Sequence, residues 1–527
     1  MKELVIVGGG TAGWFAAGWL SKKHKNINIT LIESPDIPKI GVGESVTPHV
    51  ALFFDYLDLP WDQWMYETGA IHKYANKFVD WKTGNGEYEY FSFAPNVDAK
   101  FMHKDTSQPM SKEDWHIDLS RTRLTDLILD LNTSKDFLRF DQYFDSQYHY
   151  MEKNTAPFIE KEYLLNPLFS WSQHINADLA AEFIRDNIAL PSGTTHIKDK
   201  VTDVILENET VKSLILESGK TITADFYLDA SGFNRVLISK LGWKEKAYED
   251  NPVDRAWVCQ LDYEDPETEM VNYTQSIAKK HGWLFKIGLY HRMGTGYCFS
   301  SQHVSDEQAL EEYLEMIGPN SLRKEPRLIK WKPSRLEQTA KGNVAAVGLS
   351  SGFVEPMEAN ALYIIINSIQ QFSKAVSNNL DFTELNEKMS YALDDIADFI
   401  KVHYSLSQRN DSDFWLDMQQ QGLKNDHKDL MYQKYVNDKN LMINSISGYT
   451  MFPDYMWAQL AHAWDIDTST WYNPPTQLDL ELTKINLKAQ EAKHNLVSSA
   501  SKNNYQWLKE NIFNNLTYSE WSDKKGL

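Results

Sequence analysis

The sequence predicts an α/β fold with a mixed-sheet subdomain and a mostly helical C-terminal region. Three observations lead to this prediction. Near the N-terminus, a short apolar run, a glycine-rich loop, a helix-like stretch and a second apolar run follow one another. Residues 196–230 alternate apolar and polar side chains as strands do, and residues 253–302 are rich in strand-forming residues. From Asn360 onward the chain is mostly helical in character.

The first elements of the chain form one βαβ unit. Leu4–Val7 is expected to be a buried parallel strand, and Trp14–Leu20 is helix-like. Ile27–Ile32 is a second buried strand, which ends at Glu33. The loop between the first strand and the helix is Gly8-Gly9-Gly10-Thr11-Ala12-Gly13. A unit of this kind places a diphosphate at the start of its helix.

Each glycine of the Gly-x-Gly-x-x-Gly pattern has a physical purpose. The first glycine permits a tight turn, the second lets the backbone approach a diphosphate, and the third allows close packing of helix and strand. Glu33 stands 20 positions after Gly13, where an acidic residue accepts hydrogen bonds from an adenosine ribose. The expected diphosphate contacts are Gly8, Gly10, Thr11, Ala12 and Gly13.

Two later glycine turns favour FAD over NAD as the cofactor. Asp229-Ala230-Ser231-Gly232 ends one strand, and the segment 348–352 follows another strand at Val344–Val347. A chain that returns three times to glycine turns at strand ends suits a long cofactor lying across a sheet edge. The expected architecture is therefore an FAD-binding fold like that of glutathione reductase and the flavin monooxygenases.

The remaining segments give a coarser picture. Residues 45–80 are expected to be mainly helical, residues 81–165 aromatic-rich and irregular, and residues 174–190 helical. Pro474-Pro475 marks a late break. We expect two parts: residues 1–420 as the FAD-binding module with an interleaved sheet subdomain, and residues 421–527 as a helical region that contributes to a substrate pocket.

Composition excludes several classes of function. The 527 residues include 53 basic and 73 acidic side chains, a net charge of −20, which disfavours a nucleic acid or an anionic membrane as partner. Cys259 and Cys298 lie in strand-like apolar stretches without metal-ligand spacing, so we expect no metal site and a reducing, cytoplasmic setting. Neither a signal peptide nor a membrane-spanning run is expected. The oligomeric state stays open, a homo-oligomer included.

Several motifs, in this order, resemble those of the flavin-dependent halogenases of the tryptophan-halogenase family. Residues 1–420 carry the resemblance. Its most specific parts are Trp14 directly after the glycine loop and the sequence Gly-Phe-Val-Glu-Pro-Met-Glu. The carrying segments are Gly8–Trp14, Gly41-Val42-Gly43-Glu44-Ser45, Asp229-Ala230-Ser231-Gly232-Phe233, Gly294-Thr295-Gly296-Tyr297, the segment 348–358 and Arg409-Asn410-Asp411-Ser412-Asp413-Phe414-Trp415.

The resemblance implies a reaction and its partners. In such enzymes, reduced FAD from a separate flavin reductase reacts with dioxygen, and a halide ion (chloride, bromide or iodide) attacks the resulting flavin hydroperoxide. The hypohalous acid formed reaches a lysine beside a small, electron-rich aromatic substrate, which is then halogenated. The implied cofactor contacts beyond the first loop are Gly41, Val42, Gly43, Glu44, Ser45, Val201, Ala230, Gly232, Gly348 and Phe353.

The family's lysine corresponds to Lys73, which lies shortly before a strand and Trp81. Its amine can orient and polarise hypohalous acid or form a haloamine. Lys77 is the second candidate for this role, and a solvated surface lysine is the ordinary alternative for both residues.

The family's glutamate corresponds to Glu358, at the end of Glu-Pro-Met-Glu, where it helps position the electrophile or removes a proton. Asn360 and Ala361 correspond to residues that hold the halide through backbone N–H groups. Asn360 is able to cap the following helix and still present N–H groups to an anion, and we expect Ala361, in place of glycine, to alter halide affinity or preference.

The family's Trp-x-Trp-x-Ile-Pro signature corresponds to Trp283–Gly288, of which Trp283 and Ile287 match. The family's tryptophans keep the enzyme from acting as a monooxygenase. Phe285 preserves bulk and apolarity, so we expect the barrier to persist, whereas Gly288 should make the strand more flexible.

The resemblance also implies that aromatic residues after the lysine strand and in the C-terminal helices line the substrate pocket. An indole, a phenol or another electron-rich aromatic is a better expectation than free tryptophan, because Ala461-His462-Ala463-Trp464 stands where tryptophan-specific enzymes carry Gly-Gln-Gly. Two alternatives stay open: a flavin-dependent monooxygenase that hydroxylates an aromatic, and a non-catalytic FAD-binding protein. The candidate pocket residues are Phe93, His103, Phe414, Trp415, Phe452, Tyr455 and Trp457.

Overall fold

The computed structural model describes residues 1–36, 41, 43–92, 147–159, 162–163, 171–318, 322–443, 451–471 and 477–527. Contacts divide the chain into two compact units, each assembled from three stretches of sequence. The first unit comprises Met1–Ala70, His174–Asp254 and Lys330–Ala397. The second unit comprises Ile71–Gln173, Arg255–Ile329 and Asp398–Leu527.

The strands, in chain order, are β1 (Glu3–Val7), β2 (Asn28–Glu33), β3 (Glu44–Ser45), β4 (Ile71–Lys73), β5 (Ala75–Val79), β6 (Tyr88–Ser92), β7 (Phe158–Ile159), β8 (Glu162–Tyr163), β9 (Ser172–Ile175), β10 (Thr195–Lys198), β11 (Val201–Glu207), β12 (Thr210–Leu216), β13 (Thr221–Ile222), β14 (Phe226–Asp229), β15 (Glu245–Ala247), β16 (Arg255–Leu261), β17 (Tyr273–Lys279), β18 (Gly282–Leu289), β19 (Arg292–Phe299), β20 (Leu322–Lys330), β21 (Ser334–Leu336), β22 (Ala340–Lys341), β23 (Val344–Ala346) and β24 (Gly352–Phe353).

The α-helices are α1 (Thr11–Lys23), α2 (His49–Tyr56), α3 (Trp61–Thr68), α4 (Tyr148–Glu152), α5 (Ala177–Ile184), α6 (Ile238–Leu241), α7 (Pro266–Glu269), α8 (Asp306–Ile317), α9 (Asn360–Ser377), α10 (Thr383–Ser405), α11 (Asp413–Lys424), α12 (His427–Ile443), α13 (Asp454–Ala463), α14 (Gln477–Ala500), α15 (Asn504–Asn511) and α16 (Tyr518–Lys525). A π-helical turn, Arg185–Ala189, continues α5, and short 3₁₀ turns lie at Gly232–Asn234, Gly348–Ser350 and Met357–Ala359.

The first unit is built on a six-stranded sheet of order β10-β2-β1-β14-β23-β22. Its first five strands run parallel, and β22 pairs antiparallel with β23. Leu4, Ile6 and Leu31 are almost fully buried in this sheet, as expected for parallel strands covered on both faces. The predicted βαβ unit and α/β fold class are therefore confirmed.

Smaller sheets complete the first unit. Strands β11, β12 and β13 form an antiparallel meander, whose turns contain Asn208 and Gly219. Strands β15, β21 and β24 form another sheet. The predicted helix over residues 174–190 corresponds to α5 and its π-helical turn, and Asn176 caps it by accepting hydrogen bonds from the backbone of Asp178 and Leu179.

The second unit contains a seven-stranded sheet of order β20-β16-β19-β18-β17-β5-β6. Strands β16 to β19 pair antiparallel, whereas β5 runs parallel to β17. The helices from α11 to α16 also belong to this unit. Together these elements bear out the predicted mixed sheet and helical C-terminal region, while the functional boundary at residue 420 stays a prediction.

One secondary-structure expectation was wrong. Residues 45–80 were expected to be mainly helical, but only α2 and α3 are helices, and residues 71–79 form β4 and β5. Strand β5 pairs with β17 on one side and with β6 on the other. This tertiary pairing overrides the helical pattern of the local sequence. The expected break at Pro474-Pro475 and most of the irregular segment 81–165 lie outside the described residues.

None of the helices in the described part of the chain combines the length and the apolar character that a membrane span requires. Cys259 in β16 and Cys298 in β19 are buried free thiols.

Candidate active site

The glycine loop after β1 is shaped by close backbone packing at two of its three pattern positions. Gly8 has φ 122°, and a Cβ there would lie 2.3 Å from the carbonyl oxygen of Ala230. A Cβ on Gly13 would lie 1.9 Å from the carbonyl oxygen of Gly8. A Cβ on Gly10, by contrast, would have no neighbouring atom within 4 Å. Gly10 therefore borders open space, as the backbone position that approaches a diphosphate must.

The N-terminus of α1 suits an anion. Helix α1 begins at Thr11, its N-cap is Gly10, and no side chain caps it. Its first turn carries no acidic residue. The Thr11 hydroxyl donates to the carbonyl oxygen of Ala177 at 3.3 Å, and the Cβ of Ala12 lies near the Gly348 turn. The backbone N–H groups and the helix dipole are thus left to a phosphate.

Glu33, at the carboxyl end of β2, is oriented by a residue that the sequence analysis did not single out. Nε2 of His196 lies 2.8 Å from Oε2 of Glu33 and donates to it. The His196 ring packs edge-on against Trp14, with ring centroids 4.8 Å apart. A Cβ on Gly9 would overlap the Glu33 side chain at 2.3 Å, so Gly9 makes room for this carboxylate. The fit supports a ribose contact by Glu33.

The second glycine turn is organised by Asp229, which the sequence analysis also missed as a functional residue. Its buried carboxylate accepts hydrogen bonds from the backbone and hydroxyl of Ser231, at 3.0 and 2.6 Å, and from the N–H groups of Leu237 and Ile238, at 2.9 and 3.1 Å. It also accepts from the hydroxyl of Ser350 at 3.2 Å. Asp229 therefore ties the second turn to the third. An acidic residue at the end of a buried strand was the available signal.

The third turn completes the frame. Val347 donates its backbone N–H to the carbonyl of Asp229, and Gly348 and Gly232 both adopt left-handed backbone, with φ 63° and 64°. The Phe353 ring packs edge-on between Phe233 and Trp331. Because β1, β14 and β23 are parallel neighbours, the three glycine turns follow one edge of the sheet. This arrangement fits an extended dinucleotide, as predicted.

Five other predicted cofactor contacts lie in the first unit. Gly41 and Gly43 have φ 62° and 94°, and Glu44 and Ser45 form β3, which pairs with β9. Burial, reinforced by the nearby Asp178 carboxylate, raises the pKa of Glu44 from 4.5 to about 7. Val201 begins β11 and packs against the core beneath the meander. Val42 lies outside the described residues.

The segment from Glu355 to Ala361 is tightly bent and buried. Glu358 and Ala359 both have left-handed backbone, with φ 63° and 58°, a conformation that costs a non-glycine residue about 1 kcal/mol. Glu358 is 5% exposed and Glu355 fully buried. Such strain persists only where the surroundings fix it, and it is concentrated at functional sites.

Asn360 holds this bend, but not as the expected helix cap. Its Nδ2 donates to the carbonyl oxygens of Glu355, at 3.0 Å, and Met357, at 2.6 Å. The N-cap of α9 is Ala359, and no side chain caps the helix. The Asn360 side chain does not cap the helix, because its amide is engaged by the carbonyl groups of Glu355 and Met357. The N–H groups at the start of α9, Asn360 and Ala361 among them, are consequently left uncapped by any side chain.

The two candidate lysines lie in very different surroundings in the second unit. Lys73, in β4, is fully buried. Lys77, in β5, places its Nζ 3.9 Å from the ring centroid of Tyr88, and 5.0 and 5.2 Å from those of Tyr90 and Tyr273. Three aromatic faces around an ammonium are a stabilising cation–π arrangement, which explains Lys77 without a catalytic role. A fully buried lysine is rare, and burial of this kind points to function.

The variant tryptophan signature lies in β18. Trp283, Phe285 and Ile287 are buried and occupy alternate positions of the strand. The Phe285 ring lies directly over Gly296 in β19, where a Cβ would approach it to 2.5 Å. The strand continues regularly through Gly288, where a Cβ would meet Ile71 of β4 at 3.1 Å. Gly288 therefore makes room for the lysine strand.

The Arg409–Trp415 motif anchors the turn after β5. The Arg409 guanidinium bonds both carboxylate oxygens of Asp411, at 2.9 and 2.7 Å, and donates to the carbonyl of Asp80 at 3.0 Å. It also lies 4.8 Å from the Trp415 ring. The predicted pocket residues that are described pack in the interior, Phe452 stacking on Phe399 at 3.9 Å. Fully or nearly fully buried are Phe414, Trp415, Phe452, Tyr455 and Trp457, whereas Phe93 and His103 lie outside the described residues.

Comparisons with known proteins show which family the chain resembles over most of its length. A family model described as tryptophan halogenase matches residues 3–473. The chain is 32% identical over 428 residues to tryptophan 7-halogenase RebH of Lentzea aerocolonigenes, which covers 79% of this chain and 78% of that protein. It is 31% identical over 434 residues to tryptophan 6-halogenase SttH of Streptomyces toxytricini, with 79% and 80% covered. The solved structure of SttH superposes with a TM-score of 0.81 at 26% identity, covering 96% of this chain and 99% of that one.

Proposed function

The chain belongs to the tryptophan halogenase family, and from this premise we propose how its own residues carry out the reaction. It is a flavin-dependent halogenase that uses FAD and a halide ion. The observation that carries the proposal is the fully buried Lys73, in the sequence context of the family's lysine, on a chain whose three glycine turns fit the dinucleotide.

We propose that Lys73 delivers the halogen. Bound reduced FAD, with dioxygen, supplies the two-electron oxidation of halide to hypohalous acid. The Lys73 amine then either donates a hydrogen bond to this acid or forms a haloamine with loss of water. In both cases the aromatic carbon gains the halogen and loses a proton, and the amine is regenerated. Burial of Lys73 keeps water from consuming the electrophile.

Glu358 is proposed to position the electrophile or to accept the proton that leaves the ring. Its side chain is buried and follows a left-handed backbone. The uncapped N–H groups at the start of α9 are proposed to hold the halide, with Asn360 and Ala361 among the residues that supply them.

The proposed substrate is a small electron-rich aromatic, such as an indole or a phenol. The relatives RebH and SttH are named as tryptophan halogenases, which favours an indole ring. Phe414, Trp415, Phe452, Tyr455 and Trp457 stay candidates for shaping the pocket, as do Phe93 and His103. Because the first five are packed among other rings, we expect most of them to act by supporting the pocket wall.

A separate flavin reductase is proposed as the source of reduced FAD. The sequence contains a single Gly-x-Gly-x-x-Gly pattern, the one that begins at Gly8. The FAD frame accounts for this pattern, and the sequence shows no second fingerprint for a nicotinamide.

The test is a coupled assay. The protein is incubated with FAD, a flavin reductase, a nicotinamide reductant, dioxygen and chloride, bromide or iodide, together with a panel of indoles and phenols. Mass spectrometry should show replacement of hydrogen by halogen. Hydroxylated product without halogenated product would contradict the proposal in favour of a monooxygenase. Equal turnover by Lys73→Met would contradict the role of Lys73.

A further inference from the structure

The strand that carries Lys73 is held by a buried hydrogen bond from a distant part of the chain. Nδ1 of His72 lies 2.7 Å from Oδ1 of Asn504, the first residue of α15. Both side chains are fully buried. Burial lowers the pKa of His72 to about 4, so the ring is neutral at neutral pH. An amide oxygen only accepts, so the single ring proton resides on Nδ1.

Aromatic rings enclose the His72 side chain. Trp171 meets it edge-on with centroids 5.0 Å apart, and Trp507 and Phe158 lie at 5.4 and 5.7 Å. Phe158 and Trp507 stack on each other at 4.1 Å. The imidazole therefore has little freedom to leave its bond with Asn504.

The other neighbour of Lys73 is fixed by the same part of the fold. Tyr74 donates its N–H to the carbonyl of Asn272 at 2.8 Å and its hydroxyl to the carbonyl of Thr155 at 3.2 Å. Thr155 forms a β-bridge with Asn503, the residue that caps α15. Residues on both sides of Lys73 are thus tied to the start of α15.

Packing alone does not account for the His72–Asn504 pair. Within the described chain, Nε2 of His72 and Nδ2 of Asn504 are buried without a hydrogen-bond partner. Leaving two buried polar atoms unsatisfied costs stability that an apolar pair would not lose. What the pair provides instead is a directional bond, which fixes one register and orientation of β4.

We propose that His72 and Asn504 form a positioning pair for Lys73. Through this pair, helix α15 fixes the orientation of the reactive amine. Successive strand residues point to opposite faces, so His72 and Tyr74 anchor the backbone while Lys73 extends from the other side. Helix α15 lies beyond residue 473, where the match to the family model ends. The inference rests on the proposed role of Lys73.

The test compares Asn504→Leu, which removes the acceptor, with Asn504→Asp, which keeps it. Lys502→Ala is the matched control, because it lies in the same segment and its amine forms an exposed ion pair with Glu510. Three quantities are measured in each folded variant: the FAD dissociation constant, halogenated product, and hypohalous acid released to a β-diketone trap in solution. Lys73→Met is assayed alongside.

Asn504→Leu should bind FAD within about twofold of the parent and still release trapped hypohalous acid, while product falls about tenfold or more, as expected for a misplaced reacting group. Asn504→Asp should recover most of the product, and Lys502→Ala should match the parent. An unchanged ratio of product to trapped acid in Asn504→Leu would overturn the proposal.

Folding failure is covered by a second variant. If Asn504→Leu does not fold, His72→Phe keeps the aromatic packing and removes the same bond, and the same ratio decides. If Lys73→Met forms as much halogenated product as the parent, the proposed role of Lys73 itself is wrong. Because this result comes from a different variant, it is distinguished from failure of the positioning proposal.

Discussion

His196 and Glu33 form a hydrogen bond of 2.8 Å between two neighbouring parallel strands, β10 and β2. Glu33 has two carboxylate oxygens, and the bond from His196 occupies Oε2. Oε1 is the oxygen that we propose for the ribose contact. The Trp14 ring packs edge-on against the imidazole, so the tryptophan that follows the glycine loop contacts Glu33 indirectly, through His196.

Replacement of His196 should weaken FAD binding without abolishing it. His196→Ala removes one hydrogen bond to Glu33, worth about 1 kcal/mol, so the FAD dissociation constant should rise about fivefold. Quenching of flavin fluorescence measures it. Lys198→Ala, at an exposed position of the same strand, serves as control and should leave the constant unchanged. Equal FAD dissociation constants in the parent and in His196→Ala would show that Glu33 does not need the hydrogen bond from His196.

Two glycines of the first loop should separate folding from cofactor binding. Gly13→Ala brings a methyl group against the Gly8 carbonyl and should lower the free energy of unfolding by about 2 kcal/mol or more. Gly10→Ala meets open space, so its unfolding temperature should match the parent while FAD affinity falls about tenfold. Thermal unfolding of the apoprotein and flavin titration measure the two effects. Normal FAD affinity in Gly10→Ala would place the diphosphate elsewhere.

Lys73 in β4 and Lys77 in β5 should respond differently to the same substitution. Lys73→Met should bind FAD normally and form no halogenated arene. Lys77→Met removes an ammonium from three tyrosine rings and should lower the free energy of unfolding by about 1 kcal/mol while product formation continues. Urea unfolding and product analysis distinguish them. Loss of product in Lys77→Met alone would assign the reactive amine to Lys77.

Replacement of Asn360 should raise the KM for halide. Asn360→Ala removes both hydrogen bonds to the Glu355–Met357 carbonyls and should lower the free energy of unfolding by about 2 kcal/mol. Because those bonds hold the bend before α9, the KM for halide should rise more than the KM for the arene. Asn367→Ala, two turns later in the same helix, is the control and should leave both constants unchanged. A parallel rise of both constants would indicate general loosening.

Glu44 should make stability depend on pH between about 5 and 7. Its pKa is raised by burial from 4.5 to about 7, so the folded state binds a proton that the unfolded state has already lost in this range. The stabilisation is present below pH 4.5 and is lost as the pH rises through 7, by at most about 3 kcal/mol. Urea unfolding at several pH values should show Glu44→Gln losing less stability than the parent. Parallel curves would contradict the raised pKa.

Local chemistry made much of the cofactor frame predictable. The glycine spacing, the acid after the second strand and the later glycine turns each have a short-range cause that a sequence displays. Asp229 and His196 were missed because their roles depend on partners far along the chain: Ser350 for Asp229, and Glu33 for His196. Sequence spacing carries no trace of such pairs.

For a related reason, the sequence does not predict the strands β4 and β5 within residues 71–79 or the orientation of the Asn360 side chain. Strand β5 is fixed by pairing with β17, about 200 residues later. The Asn360 amide turns inward because Glu358 and Ala359 adopt backbone that few non-glycine residues choose. The resemblance identified the candidate residues, whereas the contacts of these residues depend on the fold.

The interleaving of the first unit bears on how the enzyme is made. Strand β1 needs β14, and β14 needs β23, so the central sheet lacks a member until residue 346 has been synthesised. At ordinary rates of translation that takes roughly half a minute. Throughout that interval the emerging chain carries apolar strands without neighbours. Flavin loading must therefore follow synthesis of the first 346 residues, and chaperone supply together with slow, cool expression should govern the yield of holoenzyme more than flavin concentration does.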